Sequence, residues 1–550
     1  MASTSYRPIS RRRRVLVENL TAYAFLLPAG VLIFLFGLFP VAFAFFVSLY
    51  RWRRFPDEYV GLTNYERALG DFSHVLFFWL SLAALLYGGW LLWRLLRQIV
   101  TTPGQRRALL YLIPGVVLAA APLLMVRWGG VLLPVIMNIP RRLRGQQETQ
   151  GMFVNELFAS FRFPEVLDAG NVMLGIMLLG VLLALLFTRW LKHAALMWRA
   201  TAALLALGTG ALLMQLTLDT INAAIASARE AGETLPIWTQ IILISAGFGL
   251  LGAAYWLWGR ALRQPGDRRF IGLAFVAVTA VLGAYLLIAE LPRVLASADR
   301  DMLTGFNITI MYALFTVPFQ LAIGLGLAYL LFQNLKGKTL FRMIFFLPYI
   351  MPFIATSIVF SLLFSHRQES IINNLVGAVG IAPQKWLLEP LGVGRLILGE
   401  SVPPFLTGPS LALIVVIIYT VWTYAGYATV VFLAGLGNIP GELYEAARID
   451  GAGGWQIFRR LTLPLLSPTT FFLVLVAVIG TFQAFTQLWI MRTPAAGRSI
   501  DTVSIYIFRQ ITDADPSYSY GAALAFVLFG VILLLTFVQN RIAGRRVFYG

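Results

Sequence analysis

Few residues of this chain could do chemistry, and the most telling of them sit in one segment. Glu445-Ala446-Ala447-Arg448-Ile449-Asp450-Gly451 is followed by Leu461-Thr462-Leu463-Pro464, and this polar, Gly-broken stretch lies between two long apolar runs. Ala446 and Ala447 leave a slim side that can enter a groove, Glu445, Arg448 and Asp450 offer polar contacts, and Gly451 allows a sharp break at no steric cost. Those groups could contact a partner or brace the two helices of the loop itself. Catalytic sets are harder to assemble. The chain has no cysteine, hence no disulfide, thiolate ligand or Cys nucleophile. His74, His193 and His366 stand far apart in sequence, each near the end of an apolar run, which suits interfacial polar residues better than a metal cluster. Gly337-Lys338-Thr339 ends like a phosphate-binding loop, but Phe332 stands where the first Gly of that motif is required and no strand is expected before it. No catalytic or metal-ligating residue is assigned.

The elements that must carry these residues are membrane helices. The chain is 59% apolar, 14% aromatic and only 12% charged. A soluble domain cannot hide that much apolar surface, and runs of about 20 apolar residues recur, so the fold class is all-α, a polytopic transmembrane helical bundle. About twelve spans are expected, near 24–49, 74–94, 107–126, 170–188, 196–215, 237–258, 270–289, 306–333, 341–364, 410–436, 461–488 and 520–540. The net charge of +18 falls in short clusters between spans, the distribution of topology signals and not of a nucleic-acid groove. With the N-terminus inside, the inside loops hold Arg94, Arg97, Arg106 and Arg107, then Arg189, Lys192 and Arg199, then Arg260, Arg263, Arg268 and Arg269. Lys336, Lys338 and Arg342, then Arg448, Arg459 and Arg460, and finally Arg541, Arg545 and Arg546 continue the series. Arg51, Arg53 and Arg54, and also Arg141, Arg142 and Arg144, fall outside, diluted by acidic neighbours. The apolar run after Arg11–Arg14 is longer than the roughly 7–15 residues of a signal-peptide core, so an uncleaved first helix is expected. Few ionisable residues lie mid-span, where each costs roughly 2.5–3.5 kcal/mol. That scarcity points to an energy source outside the bilayer. Arg127 ends a span and is expected to snorkel to the interface.

The spacing Glu-Ala-Ala, three residues, Gly, nine residues, Ile-x-Leu-Pro is met here with only the Ile replaced, by Leu461. The segment resembles the EAA loop of binding-protein-dependent ABC importers, and the chain resembles their carbohydrate-uptake permeases of the maltose and glycerol-phosphate type. Gly61-Leu62-Thr63-Asn64-Tyr65, Val317-Pro318-Phe319-Gln320, Phe345-Phe346-Leu347-Pro348-Tyr349 and Trp386-Leu387 extend the likeness. The resemblance implies a six-helix permease core in two blocks, residues 1–72 and 301–550, with the coupling loop at 441–464 and inserted helices over 73–300. Six inserted spans are an even number, so the later helices keep their orientation and the loop stays inside. Within the insert, Leu91–Gln98 followed by Pro103-Gly104 and a basic pair is echoed by Leu257–Gln264 followed by Pro265-Gly266 and a basic pair, the pattern of a repeated helix pair. Gly247, Gly249 and Gly252 would permit close helix approach there.

Residue by residue, the resemblance implies that Glu445, Ala446, Ala447, Arg448, Asp450, Gly451, Leu463 and Pro464 couple to a separate ATPase dimer, which binds ATP and Mg while this chain carries no cofactor. Asn438-Ile439-Pro440 suits the start of the coupling helix, Asn as cap and Pro in the first turn. A second permease subunit, an extracytoplasmic substrate-binding protein, surrounding membrane lipid and a carbohydrate substrate complete the expected partners, in a prokaryotic inner membrane. Substrate contacts of the family's maltose permease correspond by counting to Thr420, Tyr424 and Tyr427 before the loop and Thr481, Gln483 and Ala484 after it. Thr, Tyr and Gln both donate and accept hydrogen bonds, and aromatic faces can stack on sugar rings. Tyr424 fills a small-residue position of the maltose type, and Thr493-Pro494-Ala495-Ala496-Gly497 replaces a Gly-Gly-Pro turn, so the substrate need not be maltose. A polytopic membrane enzyme and an ion-coupled secondary transporter are the alternatives.

Overall fold

A computed structural model describes residues 11–542 except 54–55, 103–105, 145–150, 191–193, 233, 334–335, 400 and 404–405. Arg54, the Pro103-Gly104 turn, Lys192, His193, Glu233, Arg545 and Arg546 therefore lie outside the described residues. Among those described, ten helices are long and apolar enough to cross a membrane, and two bent pairs bring the number to as many as 12. Each of the expected spans overlaps one of these, but the one near 107–126 runs on to Arg142, so Arg127 lies within that helix and does not end it, and two others are not straight. Lys338–Ile350 and Phe353–Leu363 meet at 93°, because Pro352 supplies no N–H and pushes Met351 into an extended backbone (φ −67°, ψ 146°). Gly454–Leu465 and Ser467–Phe482 meet at 63° beside Pro464 and Pro468.

The chain divides into two compact units, Met1–Ala298 with Asp515–Ala523, and Asp299–Ala514 with Leu524–Gly550. The first unit is built on long helix hairpins. Phe72–Thr101 packs on Ala194–Glu230, Leu112–Met137 on Pro164–Trp190, and Ile237–Ala261 on Gly266–Leu295. Small residues set the approach of the first pair: a Cβ on Gly88 would lie 2.8 Å from the Leu207 backbone nitrogen, and one on Gly210 2.9 Å from that of Leu85. In the last pair Gly247 plays this part, its partner Leu287 being 2.8 Å from the missing Cβ. Gly249 and Gly252 face open space and take no part, since they fall on other sides of the same helix. His74 is buried in the first turn of the helix Phe72–Thr101, and His366 is exposed.

In the second unit, Arg300–Phe332 packs along Leu411–Gly437, the most buried of the spans, with Lys338–Ile350 crossing it. Gly426 is the crossing point: an added Cβ would sit 1.8 Å from the carbonyl oxygen of Phe345, so only hydrogen fits. Gly324 does the same for the first pair, its missing Cβ 2.6 Å from that of Ala428. Asp299 caps the first helix by accepting from the Asp301 and Met302 N–H groups. Arg492 and Arg509 both bond the buried carboxylate of Asp501, at 2.6 and 3.2 Å, tying the segment after Met491 to the helix Val503–Thr512.

Candidate functional site

Inside the second unit, where Arg300–Phe332, Leu411–Gly437 and Ser467–Phe482 converge with Tyr349, near the end of Lys338–Ile350, there is a cavity of about 130 Å³. Thr420, Tyr424 and Tyr427 all line it, as does Thr481. Their spacing explains this: positions three, four and seven apart fall on one face of a helix. The wall opposite comes from Tyr312 and Gln320 on the helix before, and from Tyr349. No lining residue carries a formal charge.

Two kinds of interaction order the site. A chain of side-chain hydrogen bonds crosses three helices: Gln487 Nε2 donates to Tyr312 Oη at 3.2 Å, and Tyr312 Oη lies 2.8 Å from Thr420 Oγ1. Thr420 in turn donates to the Val416 carbonyl at 2.8 Å. Beside it is an aromatic stack. Tyr349 lies face to face with Tyr427 at 4.9 Å and edge-on to Tyr424 at 5.6 Å, while Phe353 stacks on the far side of Tyr424 at 6.0 Å. The side chain of Gln320 is buried and makes no hydrogen bond among the described residues, so its amide is available to a guest. Uncharged hydrogen-bonding groups beside aromatic faces can hold a neutral polyhydroxylated molecule.

Two of the expected residues are elsewhere. Gln483 is exposed and caps the helix Ser467–Phe482, and Ala484 belongs to an apolar core cluster. Counting forward from Thr481 assumes a continuous helix. The chain instead breaks at residues 483–485, with Phe485 at φ −137° and ψ −59°, and restarts as Thr486–Met491. The break shifts the phase, and Gln487 takes the inward place that Gln483 was expected to fill. Tyr312, Gln320, Tyr349 and Gln487 were missed as site residues. Gln320 and Tyr349 stood in matched motifs, so a signal for them existed, but Tyr312 and Gln487 depended on which helices meet.

Residues 441–465 form a compact knob. Gly441–Ile449 is a helix preceded by Pro440; Asn438 terminates the span before it and does not act as the cap. Gly451 has φ +77° and donates its N–H to the Arg448 carbonyl at 3.0 Å, which only glycine does without strain. A short helix, Gly454–Ile457, a π-turn at Phe458–Thr462 and then Leu463–Leu465 lead to the next span, so Leu463 and Pro464 stand at the root. Phe458 packs edge-on to Tyr329 at 4.9 Å, and Tyr444 lies against Phe332 at 6.3 Å and 3.3 Å from the Thr462 hydroxyl. These contacts hold the knob to the helix Arg300–Phe332. Its outer surface is bare: Ile449 is 86% exposed and Trp455 70%. Glu445, Ala446, Arg448, Asp450 and Gly451 are exposed, Ala447 half-buried, and none of the three charged ones forms an ion pair among the described residues. Gly337 starts the helix Lys338–Ile350 at φ +77°, and a helix, not a strand, precedes it, as the rejection of a phosphate loop required.

Residues 320–548 match the family described as binding-protein-dependent transport system inner membrane component. The chain is similar to the lactose transport system permease protein LacF of Rhizobium radiobacter, 33% identical over 241 residues, which are 43% of this chain and 74% of that protein. It is similar to the arabinooligosaccharides transport system permease protein AraP of Bacillus subtilis, 29% identical over 239 residues, 43% and 70% of the two chains. The trehalose/maltose transport system permease protein MalF of Thermococcus litoralis is 26% identical over 254 residues, 46% and 78%. The matched residues include the whole knob and every cavity residue named above except Tyr312.

Proposed function

This chain belongs to the family of binding-protein-dependent transport system inner membrane components, and from that premise we propose that it is the permease subunit of an ATP-driven importer for a sugar or related polyol. The observation that carries the coupling half of this reading is the knob, rooted on a span by Phe458 and Tyr444 while Ile449 and Trp455 are left bare. An element that is rigid at its base and apolar at its tip transmits a push as a body. The partner supplying the push is a separate ATPase dimer holding ATP and Mg. A dimer offers two grooves, and this chain carries one such knob, so a second permease subunit fills the other. An extracytoplasmic binding protein delivers the substrate in a prokaryotic inner membrane. The bundle rocks about the cavity to expose it to either side in turn.

The substrate half rests on the cavity's chemistry and on the relatives' names, which refer to lactose, arabinooligosaccharides and trehalose or maltose. Thr420, Tyr424, Tyr427 and Thr481 face the substrate together with Gln320, Tyr349 and Gln487. Residues 73–300 are helices additional to the permease core. The test is copurification of the solubilised chain with an ATPase, paired with ATP-driven uptake in vesicles. Gly451→Pro should abolish both while the chain stays in the membrane, because proline can neither adopt φ +77° nor donate the N–H bond to Arg448. Retained ATPase and unchanged uptake would remove the coupling role.

A further inference from the structure

Arg127 has company that the sequence did not reveal. It lines a cavity of about 310 Å³ in the first unit together with Glu165 and Asp168, between apolar walls of Leu124, Val131 and Val172. All three charged side chains are exposed, and Arg127 forms no ion pair among the described residues. Opposite charges thus face one cavity without closing on each other, and the gap holds roughly ten water volumes.

The depth of this cavity in the membrane follows from two helices independently. Arg127 lies 20 residues beyond Arg107, through a 3-10 turn to Tyr111 and then α-helix, about 32 Å or one hydrocarbon thickness, and the helix runs on past it to Met137. Arg107 belongs to an inside basic cluster, so Arg127 reaches the outer interface. Glu165 and Asp168 open the helix Pro164–Trp190, whose other end carries the inside residue Arg189. An aromatic belt marks the same level: Trp128 lies 6.3 Å from Phe161, and Phe163 receives the Arg142 guanidinium at 4.9 Å.

We propose that this cavity is a binding site for the headgroup of a zwitterionic aminophospholipid, the phosphate on Arg127 and the primary ammonium on Glu165 and Asp168. A guanidinium matches phosphate oxygens, and carboxylates accept hydrogen bonds that an ammonium donates and a trimethylammonium cannot. An anionic headgroup would satisfy Arg127 but meet two like charges. The apolar walls suit the start of the acyl chains.

Native mass spectrometry of the detergent-solubilised full chain, offered phosphatidylethanolamine, phosphatidylcholine and phosphatidylglycerol at equal concentration, tests this. The ethanolamine lipid should be retained about tenfold over the other two, as one charge-assisted hydrogen bond implies. Arg127→Ala should weaken retention of all three lipids together, since each carries the phosphate, and Glu165→Gln with Asp168→Asn should erase the preference over phosphatidylcholine. Soluble phosphoethanolamine should compete only weakly, showing that the lipid and not the free headgroup is the ligand; full competition would overturn the lipid assignment. Equal retention of all three lipids, or preference for phosphatidylglycerol, would overturn the proposal, and that wild-type comparison needs no variant to fold.

Discussion

Tyr312→Phe offers the sharpest test of how the cavity is built. The Tyr312 hydroxyl is the shared node of Thr420 at 2.8 Å and Gln487 at 3.2 Å, each on a different helix. Interhelical hydrogen bonds in membrane proteins average about 0.6 kcal/mol and reach about 1.7, so losing both costs about 1–2 kcal/mol. Thr420 keeps its bond to Val416 and is not stranded. Gln487 is: it is buried, and its amide has no other partner among the described residues, which adds about 1 kcal/mol, the low end of the range because the adjoining cavity can admit a water. The total is about 2–3 kcal/mol. Gln487→Leu alone breaks one bond and leaves Tyr312 satisfied by Thr420, so it should cost only about 0.5–1.5 kcal/mol. The double variant has no stranded amide and should be more stable than the sum of the single losses by about 1–2 kcal/mol. Denaturant unfolding of the purified chain in detergent measures all three. Losses that add within about 0.5 kcal/mol would refute the shared-node reasoning.

Three further outcomes follow from the same geometry. Gly426→Ala should prevent stable folding or lower unfolding stability by more than about 3 kcal/mol, beyond ordinary overpacking, because its Cβ meets a backbone carbonyl at 1.8 Å; near-wild-type melting would contradict the crossing described here. Gln483→Ala should leave ATP-driven uptake near wild type, whereas Gln487→Ala should depress it severalfold, since only Gln487 lines the cavity; the reverse order would restore the simple count along the helix. Glu66, in the short helix Thr63–Leu69, has its pKa raised from 4.5 by burial and then by the nearby Asp71 charge. The folded state therefore holds the proton more tightly than the unfolded one. The associated stability is complete below pH 4.5 and fades as pH rises through the elevated folded value. Glu66→Gln should thus raise the melting temperature at neutral pH and lose that advantage in acid; an advantage independent of pH would show that burial does not act through ionisation.

Much of the fold was legible because the bilayer imposes a length and an apolar composition on each span, and both are written locally. The knob was legible for a similar reason. Its polar residues, alanines and glycine form one contiguous stretch, and Gly451 needs only its own backbone to turn. Thr420, Tyr424 and Tyr427 were readable as a face because one unbroken helix fixes the phase between them. Gln483 failed where that assumption failed: the break at residues 483–485 handed its place to Gln487.

Sequence alone, then, determined which segments are long and apolar enough to cross a membrane and where the exposed knob lies, since both depend on short-range composition. Tertiary structure decided that Tyr312 joins Gln487 to Thr420, that the expected straight spans bend at Pro352 and beside Pro464, and that Arg127 faces two carboxylates. Those facts depend on which helices become neighbours and in what rotation. Packing of apolar surfaces settles both, and an apolar surface looks much the same in sequence whatever it will touch.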